Sequence, residues 1–190
     1  MMSNRKLNSA CALLILTLNL NVAAAELAPL KTPEEIRKHL ADYLFEAARI
    51  GDNNIINEFA AAHYDLNVRD SKGYTALILA AYHGHGSTVD LLLKDKADAC
   101  AKDNSGNTAL MGALFKGEIS IARRLAATKC DPDQRNNAGQ TAAMYAALFG
   151  RMEILQQLKD RGANVNAKDA SGNSAASLAS GQTGTGDFSP

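Results

Sequence analysis

The chain repeats itself every 33 residues, and this period constrains the fold more than any other feature of the sequence. Two glycine series follow it, namely Gly51, Gly84, Gly117 and Gly150, and Gly73, Gly106, Gly139 and Gly172. A hydroxyl column runs in register with them, at Thr75, Thr108, Thr141 and Ser174. A period of this length is typical of stacked units, each of which buries its apolar face only against its neighbours. The sequence therefore predicts a repeat array.

Each unit reads as a turn followed by two short helices. Asp70 to Gly73 has turn chemistry, and Thr75 is placed to cap a helix that Gly84 ends. A second helix follows, with Val89 and Leu92 on one face. The aromatic content of 5% and the absence of Trp suit close-packed helices better than a sheet sandwich.

The two ends of the array differ from its middle. Thr32-Pro33-Glu34-Glu35 is a helix-start pattern and predicts an extension helix that leads into the first unit. At the other end, residues 170–179 begin a unit that lacks a second helix, and residues 180–190 are predicted to be a disordered tail because they contain little apolar mass.

Two segments carry a resemblance to a known family. Gly73-Tyr-Thr-Ala-Leu-Ile-Leu-Ala-Ala-Tyr-His-Gly-His85 and Gly162-Ala-Asn-Val-Asn-Ala-Lys-Asp169 resemble the ankyrin repeat. The resemblance implies an all-α ankyrin-repeat solenoid of helix-turn-helix units with short β-turn fingers. It divides the chain into an extension and capping repeat at 26–70, repeats at 71–103, 104–136 and 137–169, and a partial repeat at 170–179. Where the family has a glycine after the second helix, this chain has His63, Lys96 and Lys129, which predicts backbone strain or a shifted helix end.

The first 25 residues have the layout of a secretory signal peptide. Arg5 and Lys6 precede an apolar run at 10–18, and small residues then lead to a predicted cleavage between Ala25 and Glu26. The run is shorter than the ~20 residues that span a bilayer. Cleavage leaves two cysteines, Cys100 and Cys130. An exported chain permits a disulfide between them, and the alternative is two buried thiols that never meet.

Charge and site chemistry exclude several function classes. The 20 basic and 20 acidic residues balance, which argues against a nucleic-acid partner. His83 and His85 invite a metal interpretation, but no carboxylate or cysteine stands at ligand spacing. Cys100 has no histidine at an equivalent position in the adjoining units, so we expect no catalysis. We expect no cofactor, no metal, no membrane contact after cleavage, and a monomer.

The resemblance places a partner-binding face on the turn tips and the ends of the first helices. The positions of this chain that match it are Lys72, Tyr74, Tyr82, His83, Asn107, Phe115, Lys116, Gln140, Leu148 and Phe149. Aromatic side chains on such a face provide large contact area at little entropic cost. The alternative is that Phe115 and Phe149 pack between helices. A second column, Arg69, Lys102, Arg135 and Lys168, is expected either to pair with its acidic neighbours or to form a basic strip.

The resemblance also implies a function. The chain looks like small exported ankyrin proteins of the bacterial periplasm that bind another protein and catalyse nothing, and one similar group is associated with catalase and peroxide resistance. A second expectation is an immunity protein that neutralises a toxin acting in the periplasm. A third is a metal-binding or purely structural envelope protein, supported only by His83 and His85.

Overall fold

The computed structural model describes residues 32–181, and within them the chain forms nine helices and no strand. The predicted signal peptide and cleavage site, and all of the predicted tail beyond residue 181, lie outside the described residues. The helices are α1 (Pro33–Ile50), α2 (Asn53–Ala61), α3 (Ala76–Tyr82), α4 (Gly86–Lys94), α5 (Ala109–Lys116), α6 (Ile119–Ala126), α7 (Ala142–Leu148), α8 (Met152–Asp160) and α9 (Ala175–Ala179). The chain divides into two compact parts at residues 40 and 41, and the repeats lie in the part that begins at Ala41. Of the part before it, the structure describes residues 32–40.

The hydroxyl column caps the first helix of each unit. Thr75 Oγ1 accepts a hydrogen bond from the Ile78 backbone N at 3.3 Å. The equivalent bonds recur at the starts of α5, α7 and α9. Each cap satisfies one of the orphan backbone donors of a helix start, so the sequence fixes where these helices begin.

The repeats stack through their apolar faces. First helices pack on first helices, as α3 does on α5 and α5 on α7, and α4, α6 and α8 form a parallel row of second helices. Leu77, Leu92, Leu114, Ile121 and Ile154 are fully buried between them. This arrangement is the all-α repeat solenoid that the sequence predicts. No helix in the described part of the chain is both long and apolar enough to span a bilayer.

Three repeats lack the glycine after the second helix, and their chains turn there in two different ways. His63 and Lys96 take positive φ angles of 54° and 66°, which strains a residue that has a Cβ. Lys129 does not; instead α6 ends at Ala126 and the chain turns early, with the Thr128 hydroxyl donating to the Leu125 carbonyl at 2.6 Å. The sequence predicts either backbone strain or a shifted helix end at these positions. The structure shows strain at His63 and Lys96 and a shifted helix end before Lys129.

The two cysteines are joined in a disulfide. Cys100 and Cys130 lie in the loops that leave α4 and α6, and their Cα atoms are 5.4 Å apart. The alternative of two separate thiols does not describe this structure. Because the two loops belong to successive repeats, the bond ties one repeat to the next.

In the column of basic residues, Lys102 and Arg135 neither pair with their acidic neighbours nor form a free basic strip. Lys102 Nζ donates to the Arg135 carbonyl at 3.0 Å, and Arg135 Nη1 donates to the Lys168 carbonyl at 2.7 Å. Asp103, the expected partner of Lys102, instead accepts from two backbone N–H groups of its own turn. These cations link successive units through backbone oxygens.

Candidate functional site

The β-turn fingers and the first helices enclose a groove of about 620 Å³ on one side of the repeats. Its walls carry Tyr74, Tyr82, Phe115 and Tyr145, and two carboxylates, Asp70 and Asp103, lie at the bases of successive fingers. A concave space lined by aromatic groups with a few polar ones is the usual form of a binding site. We call this space the concave groove.

Six of the ten residues predicted for partner binding line the concave groove: Lys72, Tyr74, Tyr82, His83, Asn107 and Phe115. Lys116 is exposed beside it, with Nζ 5.1 Å from the centroid of the Tyr82 ring. Leu148 and Phe149 are half-buried at the end of α7 and do not line the groove.

The aromatic residues at the helix ends form a continuous ladder. The Tyr82 and Phe115 rings stack with centroids 6.4 Å apart, and Phe115 meets Phe149 edge to face at 5.9 Å. All three side chains are half-buried, and both phenylalanines also pack on the core. Packing therefore accounts for part of each phenylalanine ring; Phe115 also lies on the groove wall, whereas Phe149 lies outside the groove.

Gln140 requires a correction, because its side chain is only 2% exposed and is not available to a partner. Its Oε1 accepts from Asn136 Nδ2 at 2.8 Å and from the Tyr145 hydroxyl at 3.3 Å. Asn136 Nδ2 also donates to Asn107 Oδ1 at 3.0 Å. The equivalent turn residues Tyr74 and Asn107 are half-buried, whereas a buried polar network holds Gln140 inward.

The two carboxylates of the groove have different surroundings. Asp70 has the Arg49 guanidinium at 3.7 Å, whereas Asp103 forms no ion pair with any residue that the structure describes. Burial raises the pKa of the Tyr74 phenol, and the charges of Asp103 and Asp70 raise it further. Burial likewise raises the pKa of Tyr145, with a smaller contribution from Asp103. Both hydroxyls therefore stay protonated at neutral pH and remain hydrogen-bond donors.

The histidine pair gives little support to a metal site. His83 and His85 stack with ring centroids 6.5 Å apart, and His85 Nε2 lies 2.7 Å from the Arg49 carbonyl oxygen. Partial burial and the neighbouring His85, Arg49 and Lys116 lower the pKa of His83. Among the described residues, no group of three or more histidine, cysteine or carboxylate side chains is placed to hold a metal ion.

Sequence reasoning did not predict several residues of the groove, among them Asp103, Gly112 and Tyr145. A signal was present, because the equivalent positions Leu79, Gly112 and Tyr145 hold side chains of very different size. A column that varies so much, while the next one keeps alanine at Ala80, Ala113 and Ala146, indicates a surface whose shape changes along the stack.

The comparison with family models agrees with this architecture. The model for ankyrin repeats in three copies matches residues 44–136 and 116–185. These matches cover well over half of the chain, so the chain belongs to the ankyrin-repeat family. A search of the curated proteins found no relative that matches it. Ankyrin repeats are in general modules that bind other proteins and are not enzymes.

Proposed function

We propose that this protein is exported and holds a partner protein in the concave groove, without catalysing a reaction. The observation that carries the proposal is the groove wall, where Tyr82 and Phe115 stack at 6.4 Å and remain half-exposed. In a chain with only 5% aromatic residues, two adjacent rings on one concave face are unlike the rest of the surface.

Two observations support an oxidising compartment outside the cytoplasm as the place of action. The Cys100–Cys130 disulfide suits such a compartment, because cytosolic reductants keep most thiols reduced. The sequence of the first 25 residues fits a secretory signal. The ankyrin resemblance adds the bacterial periplasm as the particular compartment.

The test is site-specific photocrosslinking in living cells, followed by mass spectrometry of the adducts. A photoreactive amino acid is placed at His83 or Lys116, on the concave side, or at the exposed Lys94 or Lys159 of second helices as matched controls. We expect one protein to be crosslinked from the concave positions alone. Equal crosslinking from both sets of positions, or none from the concave set, would contradict the proposal.

The identity of the crosslinked protein decides between the roles that the resemblance implies. A haem enzyme such as catalase supports a role in peroxide resistance, and a toxin supports a role as immunity protein. In either case the double variant Tyr82→Ala with Phe115→Ala should weaken partner binding about tenfold or more, since central aromatic residues dominate interface energetics. Unchanged affinity in that variant would show that the partner binds elsewhere.

A further inference from the structure

A glycine inside α5 leaves a recess in the concave groove. Gly112 has helical backbone, and a Cβ built on it would lie 3.6 Å from Tyr82 Cδ2, which is an ordinary contact. The equivalent residues of the neighbouring units, Leu79 and Tyr145, carry large side chains and line the same groove. Glycine inside a helix costs about 0.5–1 kcal/mol relative to alanine. Because packing does not require the glycine, the missing side chain is best explained by the space that it leaves open.

The same groove contains a carboxylate without a cationic partner. Asp103 is half-buried, and its Oδ1 accepts from the backbone N of Ser105 at 2.9 Å and of Asn107 at 2.8 Å. None of the described residues forms an ion pair with it, whereas the equivalent Asp70 has Arg49 at 3.7 Å. Covering a carboxylate with an apolar group removes its hydration without compensation. An occupant that covers Asp103 therefore has to bring a positive charge.

The aromatic wall beside the recess also favours a cation. Lys116 Nζ already lies 5.1 Å from the centroid of the Tyr82 ring, so this ring accepts a positive charge in the free protein. Two cations also line the groove: Arg49 is paired with Asp70 at 3.7 Å and with Glu46 at 3.3 Å, whereas Lys72 forms no ion pair with a described residue. Aromatic faces attract cations, and they do so more strongly when water is excluded.

We propose that the recess at Gly112 receives an arginine side chain from an extended segment of the partner protein, with its guanidinium on Asp103 and against the Tyr82 and Phe115 rings. Arginine suits the recess better than lysine because its planar guanidinium stacks on rings and forms two parallel hydrogen bonds to a carboxylate. Its aliphatic stem would cover Leu79. This inference rests on the proposed function, since it names the chemistry that the concave groove recognises.

The first test uses the peptide acetyl-Gly-Gly-Arg-Gly-Gly-amide, titrated into the oxidised protein and followed by amide NMR shifts. We expect saturable shifts that centre on Asn107, Gly112 and Phe115. The citrulline peptide has nearly the same shape but no charge, and it should bind about tenfold more weakly. Equal affinity for the two peptides, or no saturable shift up to about 10 mM arginine peptide, would overturn the proposal.

Two variants locate the site without disturbing the fold. Asp103→Asn keeps the turn, because Asn136 holds the equivalent position and accepts from the Ala138 and Gln140 backbone N in the same way. Gly112→Leu fills the recess. Each should weaken the arginine peptide about tenfold. Asp98→Asn is the control: it also removes one carboxylate from a turn, lies outside the groove, and has Asn164 as its natural precedent.

The outcomes separate this inference from the proposed function. If Asp98→Asn weakens the peptide as much as Asp103→Asn, the effect is general electrostatics and the recess proposal is wrong. If concave crosslinks persist while the arginine peptide fails to bind, the protein-binding function stands and the recess proposal fails. If the peptide binds at Gly112 but no protein crosslinks at His83 or Lys116, the recess binds a free guanidinium compound. The proposal that the groove holds a partner protein is then wrong.

Discussion

Two neighbouring repeats use equivalent positions of the concave face in opposite ways. In one, Asp103, Asn107 and Gly112 leave an open recess. One period later, the equivalent residues are Asn136, Gln140 and Tyr145, and all three are buried in a hydrogen-bonded cluster. We call these the open half and the closed half of the concave face.

The backbone is the same in both halves. Asp103 Oδ1 and Asn136 Oδ1 each accept from the backbone N groups two and four residues later, at 2.8–3.0 Å. Successive fingers are also joined alike, by a backbone bond of 2.9 Å from Asn104 N to the Lys72 carbonyl and from Asn137 N to the Ser105 carbonyl. The difference between a recess and a filled surface therefore lies in three side chains and not in the fold.

The largest effect is expected from Tyr145→Ala in the closed half. The ring is 3% exposed, so its removal leaves a cavity and frees the Gln140 and Asn136 side-chain groups. We expect a loss of about 3–5 kcal/mol in the free energy of unfolding, measured by urea denaturation. Tyr82→Ala in the half-exposed wall of the open half should cost only about 1 kcal/mol. Similar losses in the two variants would show that the halves do not differ in packing.

The disulfide joins the loops that lead into the two halves, and its loss should be nearly as costly. Cys100 and Cys130 are 30 residues apart, and closing a loop of this length is worth about 3–4 kcal/mol in the chain-entropy model. We expect the double variant Cys100→Ser with Cys130→Ser to lose this amount, and reductant to lower the stability of the natural protein but not of the variant. A natural protein whose unfolding midpoint is unchanged by reductant would contradict this account.

The identity of residue 136 should matter more than that of residue 103. Asn136→Asp removes the Nδ2 donor that serves Asn107, Gln140 and Tyr145, and places a carboxylate among their oxygens, so we expect a loss of about 2–3 kcal/mol at pH 7. Burial among oxygens raises the pKa of the new carboxyl in the folded state, so the penalty should shrink as the pH falls toward about 4. Asp103→Asn is the matched exchange and should change stability by less than about 0.5 kcal/mol. Equal losses in both variants, or a penalty that grows at low pH, would be inconsistent with the network.

The fold could be predicted from the sequence because the residues that determine it recur in each repeat. The period, the capping hydroxyls and the turn glycines recur in register, and each acts within its own unit. The sequence was also sufficient for six of the residues that line the groove, since their positions follow from the family pattern. It could not decide the state of the cysteines, because two residues 30 apart meet only through the stacking geometry of their loops.

The polar network shows why one site residue was misplaced. Gln140 stands at a turn position that is half-buried in the two preceding repeats, and its full burial depends on Tyr145 and Asn136 together. Each residue alone has an ordinary surface interpretation. In the same way, Lys102 donates a hydrogen bond to the Arg135 carbonyl in the next repeat. No pattern within a single repeat predicts this contact. Prediction from the sequence of single repeats therefore fails for contacts that depend on several residues or on two repeats together.

The smallest predicted effect runs in the opposite direction and tests why the open half is open. Gly112→Ala adds only a methyl group, whose nearest neighbour in the groove lies at 3.6 Å, and it removes a helix-interior glycine. We expect the free energy of unfolding to rise by about 0.5–1 kcal/mol, because alanine loses less backbone entropy in a helix. The matched change Ala113→Gly, at a fully buried position in the same helix, should instead lower stability by about 1 kcal/mol or more. A stabilised Gly112→Ala variant that binds its partner more weakly would mean that the glycine is kept for the recess and at the expense of stability. A destabilised one would mean that packing requires the glycine and that the open half is a consequence of the fold.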